Sequence, residues 1–298
     1  MTGHVLHHFV DQAEPARRLA GLLGASTAEI AVHRFPDGES LVTVAEPAAT
    51  ALVYCSLDRP NERLVELMLS VSALRDNGAR RLVLVAPYLC YMRQDAAFHP
   101  GEAVSQKAVG RFLGPLADRI VTVDPHLHRT DRLEAVFPST TADALSAAGL
   151  IGRTLADDGV DRDTIIVGPD AESRQWVEAA AAVARLDFVV GDKQRSGDRS
   201  VAVTFPDPGA IAGRPVVIID DLVASGGTLC AAARRLAESG ARRIEAVAVH
   251  ALFDTDDAKA MAGAGVSRIR STDSVAHPTN AIALAPLLAA ALASEMPR

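Results

Sequence analysis

The segment Val216 to Leu229 reads VVIIDDLVASGGTL: an apolar run, two carboxylates, a small-residue loop and the opening of a helix. Each part has a chemical use in that order. Parallel strands deliver their carboxyl ends to the crevice where ligands bind. Gly226 and Gly227 let backbone amide hydrogens converge on a phosphate at the coming helix N-terminus, and Ser225 and Thr228 add hydroxyl donors. Asp220 and Asp221, just upstream, suit hydrogen bonds from sugar hydroxyls or water-mediated binding of Mg²⁺. A lone Gly-Gly-Thr would suit an ordinary capped strand-turn-helix equally well; the apolar strand, acidic pair and glycine loop in register are far more specific. No Gly-Lys-Ser/Thr follows the glycines, so this is not a Walker A loop.

A loop of this kind needs a sheet and helices to hold it, and the chain supplies them. Short apolar, β-branched runs at Ala51–Ser56, Arg81–Tyr88, Arg119–Asp124, Thr164–Val167, Pro215–Asp221 and Arg243–His250 read as strands. Their near-continuous hydrophobicity suits strands covered on both faces, as in a parallel sheet. Between them, Asn61–Asn77, Ala103–Leu116, Glu172–Arg185 and Thr228–Ser239 read as amphipathic helices. The alanine- and leucine-rich stretch Asn280–Ser294 reads as a last helix, and Trp176 as a core residue on its helix stripe. Each half has a strand ending in an acidic residue before a loop, which predicts two similar α/β domains with a boundary near Ala144.

Composition narrows the partners. The 298 residues carry a net charge of −7 without a basic tract, which argues against a nucleic-acid backbone. The three cysteines, Cys55, Cys90 and Cys230, are far apart and odd in number, so small buried thiols are expected rather than a disulfide framework or zinc site. Met1 to Leu6 does not read as the start of a signal peptide, and no apolar run is long enough to span a bilayer. A cytoplasmic protein with no membrane partner is the expectation.

Five further segments carry charged or aromatic residues at strand ends and turns: RFPDGE at Arg34–Glu39, YLCYMRQD at Tyr88–Asp95, VDPHLH at Val123–His128, GPD at Gly168–Asp170 and DKQR at Asp192–Arg195. Together with DDLVASGGT they resemble, from about Val32 to Phe253, the ribose-phosphate pyrophosphokinases. The resemblance implies an α/β protein of two tandem type I phosphoribosyltransferase-like domains, each a mostly parallel sheet flanked by helices. Residues 1–143 would carry the ATP-site loops and 144–298 the ribose 5-phosphate loop.

It also implies a reaction: diphosphoryl transfer from ATP to the anomeric hydroxyl of ribose 5-phosphate, with Mg²⁺ as cofactor, giving phosphoribosyl diphosphate (PRPP) and AMP. Phe35, Asp37 and Glu39 match an adenine-binding loop that reaches a neighbouring subunit's site, so a homodimer or higher homo-oligomer is expected. Arg93 and Gln94 match ATP contacts. His126 and Asp170 match residues tied to the ATP-bound and ribose-bound Mg²⁺. Lys193 and Arg195 match the basic pair of a mobile catalytic loop, which Ser196-Gly197-Asp198 follows. Asp220 and Asp221 match ribose-hydroxyl binders, and Ser225, Gly226, Gly227 and Thr228 the 5-phosphate pocket. His128 has no assigned role.

Two departures stand out. Family members usually carry basic residues after RQD, where this chain has Ala96 and Ala97, so a phosphate contact is missing or falls to another residue such as His99. Ala224 replaces an acidic residue found at that loop position in many relatives. These motivate one alternative, a non-catalytic regulatory homologue; a transferase that consumes PRPP is another, and it leaves RFPDGE and YMRQD unexplained. Another phosphorylated sugar as acceptor is a third.

Overall fold

The computed structural model describes residues 4–45, 48–127, 129–130, 132–196 and 200–296, with backbone alone at 193–196 and 200–201. The chain forms two units, residues 1–145 with 283–298, and residues 146–282.

The first unit begins with β1 (Val5–Phe9), α1 (Ala13–Leu23), β2 (Ser26–Arg34), β3 (Ser40–Thr43) and β4 (Thr50–Tyr54). It continues with α2 (Pro60–Asp76), β5 (Arg81–Ala86), α3 (Ser105–Leu113), β6 (Arg119–Val123) and β7 (Thr141–Leu145). Its seven strands lie in the order β3-β2-β1-β4-β5-β6-β7, parallel except for the antiparallel edge pair β2 and β3. The central strands are buried along almost their whole length because helices cover both faces, which is why they read as unbroken apolar runs.

The second unit contains α4 (Ala148–Asp157), β8 (Ile165–Gly168), α5 (Arg174–Ala184), β9 (Asp187–Val190), β10 (Asp192–Ser196) and β11 (Ser200–Thr204). It continues with β12 (Pro215–Val223), α6 (Gly227–Glu238), β13 (Arg243–Ala251), α7 (Thr255–Gly263), β14 (Val266–Thr272) and β15 (Asn280–Ile282). Six strands make a parallel sheet in the order β15-β14-β13-β12-β8-β9, and β10 with β11 forms a separate antiparallel ribbon. Trp176 is buried on α5, and all three cysteines are buried and free. No described helix is long and apolar enough to cross a membrane.

The C-terminus corrects two expectations. Asn280–Ile282 is the edge strand β15, not the start of a helix; the helix is α8 (Ala285–Leu292). The segment from 283 onward was expected in the second domain but belongs to the first unit, where α8 packs against α1. Charge explains the attachment: Glu295 is gripped by Arg81 at 2.6 Å and by Arg119 at 2.9 Å, with its carboxylate almost fully covered. Those partners lie more than 170 positions away in sequence, so no local pattern reveals them.

His7 sits in central strand β1, fully buried, and neither ring nitrogen has a partner among the described residues. Burial, helped by the neighbouring His8, lowers its pKa to about 4. The unfolded chain takes up this proton near pH 6.5 and the folded chain only near 4, so the contribution to stability is complete above 6.5 and lost as pH falls between them. The expected loss below that window is about 3 kcal/mol. Urea unfolding at pH 7 and pH 4 should show a smaller pH dependence in His7→Leu than in the unmodified protein.

Candidate active site

In the second unit, β12 runs through Val223, so Asp220 and Asp221 lie inside the strand rather than after it. Consecutive strand residues point to opposite faces. Accordingly Asp221 is buried and Asp220 only partly so. The two carboxylates therefore do not form one paired acidic cluster on a single face. Toward β8 the strand is open at this level, since the last residue pair between the two is Ile218 with Val167.

The loop that follows is built for close backbone approach. Gly226 has φ 68°, the left-handed conformation glycine adopts without steric cost, and it is the N-cap of α6. A Cβ there would also stand 2.7 Å from Met261 Sδ. Packed on Met261 in this way, Gly226 turns the chain into the helix. Gly227 is exposed, and a Cβ on it would meet nothing within 4 Å. No side chain caps the helix, so the first-turn amide hydrogens and the positive end of the helix dipole belong to this loop, flanked by exposed Ser225 and half-buried Thr228.

Asp170 follows β8, the strand beside β12, and is half-buried. It accepts a hydrogen bond from the Ser173 amide at 3.2 Å in a capping box and so caps the short helix after it. Lys193 and Arg195 lie on β10, opposite Val203 and Val201 of β11, in a paired ribbon rather than an unpaired loop. Their side chains, like Gly197, Asp198 and His128, lie outside the described residues. The base of the ribbon is tied to the Asp170 loop, because the Gly191 amide donates to the Gly168 carbonyl at 2.8 Å.

In the first unit, RFPDGE is the turn between β2 and β3. The Phe35 amide donates to the Glu39 carbonyl at 2.8 Å, and the Glu39 amide to Asp37 Oδ1 at 3.1 Å. These bonds close the turn and leave Phe35 40% exposed, edge-on to His33 at 4.8 Å between ring centroids. Arg34 secures the hairpin to α2: it donates to the buried Glu66 carboxylate at 2.8 Å and pairs with Glu62 at 2.9 Å.

Exposed Arg93 and half-buried Gln94 lie in the loop after β5. The Ser105 hydroxyl donates to Gln94 Oε1 at 2.5 Å, and the Gln106 amide to the Gln94 carbonyl at 3.1 Å. His126, half-buried, lies in the loop after adjacent strand β6, two residues beyond Asp124, which takes a positive φ of 35°. The ring of exposed His99 is paired with Glu102 at 2.6 Å. That hydrogen bond lowers the Glu102 pKa.

Sequence reasoning missed three features at this edge. Asp95, the last residue of YLCYMRQD, is an anchor buried against Arg129. Tyr91 takes a positive φ of 61°, and its hydroxyl donates to Asn61 Oδ1. Asp58, after β4, has its carboxyl pKa pushed up by burial and, further, by the Asp11 charge. The signal for Tyr91 and Asp95 lay in their motif; Asp58 had no such signal. Among the described residues, no three His, Cys, Asp or Glu side chains group to hold a metal.

Two α/β units with mostly parallel sheets, the second with carboxylates near the end of a strand and a glycine loop opening a helix, define a protein of the phosphoribosyltransferase class. A family model described as the phosphoribosyl transferase domain matches residues 143–278, and one described as the N-terminal domain of ribose phosphate pyrophosphokinase matches 6–115. The ribose-phosphate pyrophosphokinase of Methanopyrus kandleri is 35% identical over 278 residues, covering 93% of this chain and 94% of that one. That of Thermococcus kodakarensis is 32% identical over 282 residues, covering 94% and 95%. The crystal structure of phosphoribosylpyrophosphate synthetase from Mycobacterium smegmatis matches with a TM-score of 0.82 at 25% identity, covering 99% of each chain. The chain belongs to the ribose-phosphate pyrophosphokinase family.

Gly226→Ala should lower stability by about 1–3 kcal/mol, from left-handed backbone strain and the contact with Met261. Gly227→Ala should stay within about 0.5 kcal/mol, since its Cβ meets open space at a helix position. Thermal unfolding of the two variants side by side reads the difference.

Proposed function

We propose that this chain transfers the diphosphoryl group of ATP to the anomeric hydroxyl of ribose 5-phosphate. The hydroxyl oxygen forms a bond to the β-phosphorus and gives up its proton to solvent, the bond from that phosphorus to the oxygen shared with the α-phosphorus breaks, and AMP leaves with the electron pair. The observation that carries the reading is the uncapped N-terminus of α6, approached through Gly226 and Gly227. There, amide hydrogens and the helix dipole suit a phosphate monoester such as the 5-phosphate. Asp220 and Asp221, one on each face at the same strand end, accept hydrogen bonds from ribose hydroxyls.

Arg93 and Gln94 meet ATP, and Phe35 stacks on adenine while Asp37 and Glu39 take its polar edge. On β2, the RFPDGE turn is separated from the Arg93 loop by β1 and β4, three strand spacings or roughly 14 Å. This separation supports a turn that completes the site of a second copy, and so a homodimer or larger homo-oligomer. Lys193 and Arg195 meet the negative charge of the transferring group.

Mg²⁺ is the cofactor in this reading. Nucleotide-site Mg²⁺ takes one or two carboxylates and completes its shell with waters and substrate phosphates, so it needs no cluster of three protein ligands. Asp170, Asp220 and Asp221 are hard oxygen donors of the right kind. His126, a nitrogen donor, fits through a bound water. When bound, the ion neutralises phosphate charge and acidifies a coordinated hydroxyl. Substrates of this class support a cytoplasmic location.

The purified protein with Mg²⁺, ATP and ribose 5-phosphate should release AMP and PRPP in equal amounts, measured by chromatography. Chelation of Mg²⁺ should abolish turnover, and Lys193→Ala should lower it by roughly 100-fold or more, the scale of a removed transition-state charge contact. ADP instead of AMP would mean terminal-phosphate transfer. No product with ATP still bound would favour the regulatory homologue.

A further inference from the structure

The carboxyl edge of the first sheet carries an ion pair to which sequence reasoning attached no role. Asp95 closes the YMRQD segment after β5, and Arg129 lies in the loop after β6, the neighbouring parallel strand. The Asp95 side chain is fully covered, while 49% of the Arg129 side chain is exposed. Arg129 makes both contacts to it: its amide donates to Asp95 Oδ2 at 2.9 Å and its guanidinium to Oδ1 at 2.8 Å. Burial alone would raise the Asp95 pKa, but these hydrogen bonds and the Arg129 charge hold it below the usual carboxylate range. On its outer side the guanidinium lies 5.4 Å from the centroid of Phe98, itself 63% exposed.

A second, neutral bridge joins the same two loops. The Thr130 hydroxyl donates to Gln106 Oε1 at 2.8 Å, the Gln106 side-chain amide donates to the Met92 carbonyl at 3.3 Å, and the Gln106 backbone amide to the Gln94 carbonyl at 3.1 Å. Arg93 and Gln94 thus lie between two residues, Met92 and Asp95, that are tied to 129–130. His126 lies three residues before Arg129. A surface arginine needs no fully covered carboxylate to stay folded, and Asp95 already neutralises the charge that Arg129 would bring to a phosphate. The work left to the pair is geometric.

We propose that Arg129 is a positioning residue of the nucleotide-binding loops of the first unit: through Asp95 it holds the Arg93-Gln94 loop and the His126 loop in one arrangement before ATP arrives. This rests on the assignment of those loops to ATP. The fixed arrangement removes an ordering cost that binding would otherwise carry. It also gives the loop a rigidity where this chain has Ala96 and Ala97 in place of long basic side chains.

The test compares Arg129→Ala, Arg129→Lys and the unmodified protein. Affinity for a non-hydrolysable ATP analogue is read by calorimetry, KM for each substrate by steady-state assay, and Tm by thermal unfolding. Arg129→Ala should weaken analogue binding and raise KM for ATP by roughly tenfold, the scale of a lost charge-assisted hydrogen bond. KM for ribose 5-phosphate should stay within about twofold. Arg129→Lys, which keeps a cationic donor and the backbone amide, should recover much of the loss. Unchanged analogue affinity in Arg129→Ala would overturn the proposal. So would equal increases in both KM values with a large fall in Tm, which marks a general structural role. If the unmodified protein made no AMP, the proposed reaction would fail while the calorimetric comparison still decided the role of Arg129.

Discussion

A parallel sheet covered by helices on both faces leaves its edges as the places where polar groups can meet a ligand. Within the sheet, backbone groups are used up by the ladder and side chains by the core. At the carboxyl ends of the strands the chain must turn into helices whose first amide hydrogens have no partner within the helix. Most of the candidate residues obey this constraint. The Phe35 turn follows β2, Arg93 and Gln94 follow β5, His126 follows β6, Asp170 follows β8, and the glycine loop follows β12. The exceptions are Asp220 and Asp221, near the end of β12 but inside it, and Lys193 and Arg195, carried on a ribbon outside the sheet.

Loops gathered at such an edge need fixing, and in the first unit this is done largely by covered carboxylates. Glu66 on α2 is almost inaccessible and takes Arg34 at the base of the β2–β3 hairpin; Arg63 of the same helix lies beside it and over the ring of Phe9. Asp95 holds Arg129 at that edge, while at the opposite, amino ends of β5 and β6 Glu295 holds Arg81 and Arg119. A covered carboxylate left without its cation is strongly unfavourable, so each of these pairs tolerates few alternative arrangements. The same economy applies in the second unit with uncharged groups: Gly226 is confined by Met261, and Gly191 by the Pro169 carbonyl 2.9 Å from where its Cβ would stand.

Membership of the ribose-phosphate pyrophosphokinase family gives these anchors a context. The relatives cover nearly the whole chain at about one-third identity, and the motif residues form a small part of it. The departures at Ala96, Ala97 and Ala224 fall in loops rather than strands. A loop can lose a cation without disturbing the sheet, whereas Ile218 or Val167, fully buried between neighbouring strands, cannot change polarity without cost.

The sequence alone determined the class of the fold, through apolar strand runs alternating with amphipathic helices, and the principal chemical motif, through DDLVASGGT. Both are local: periodicity and short spacing express a residue's relation to its nearest neighbours along the chain. Tertiary structure decided what depends on distant partners. It carried β12 two residues beyond Asp221, paired with β13, so that both aspartates lie within the strand and not at its last residue. It turned Asn280–Ile282 into an edge strand through pairing with β14, and drew α8 back to the first unit through Glu295 and two arginines remote in sequence. It also made Asp95 a buried anchor, which only the arrival of Arg129 from the adjacent strand's loop could reveal. Hydrogen bonds and ion pairs between residues far apart in sequence leave no periodic trace, so only the folded chain shows them.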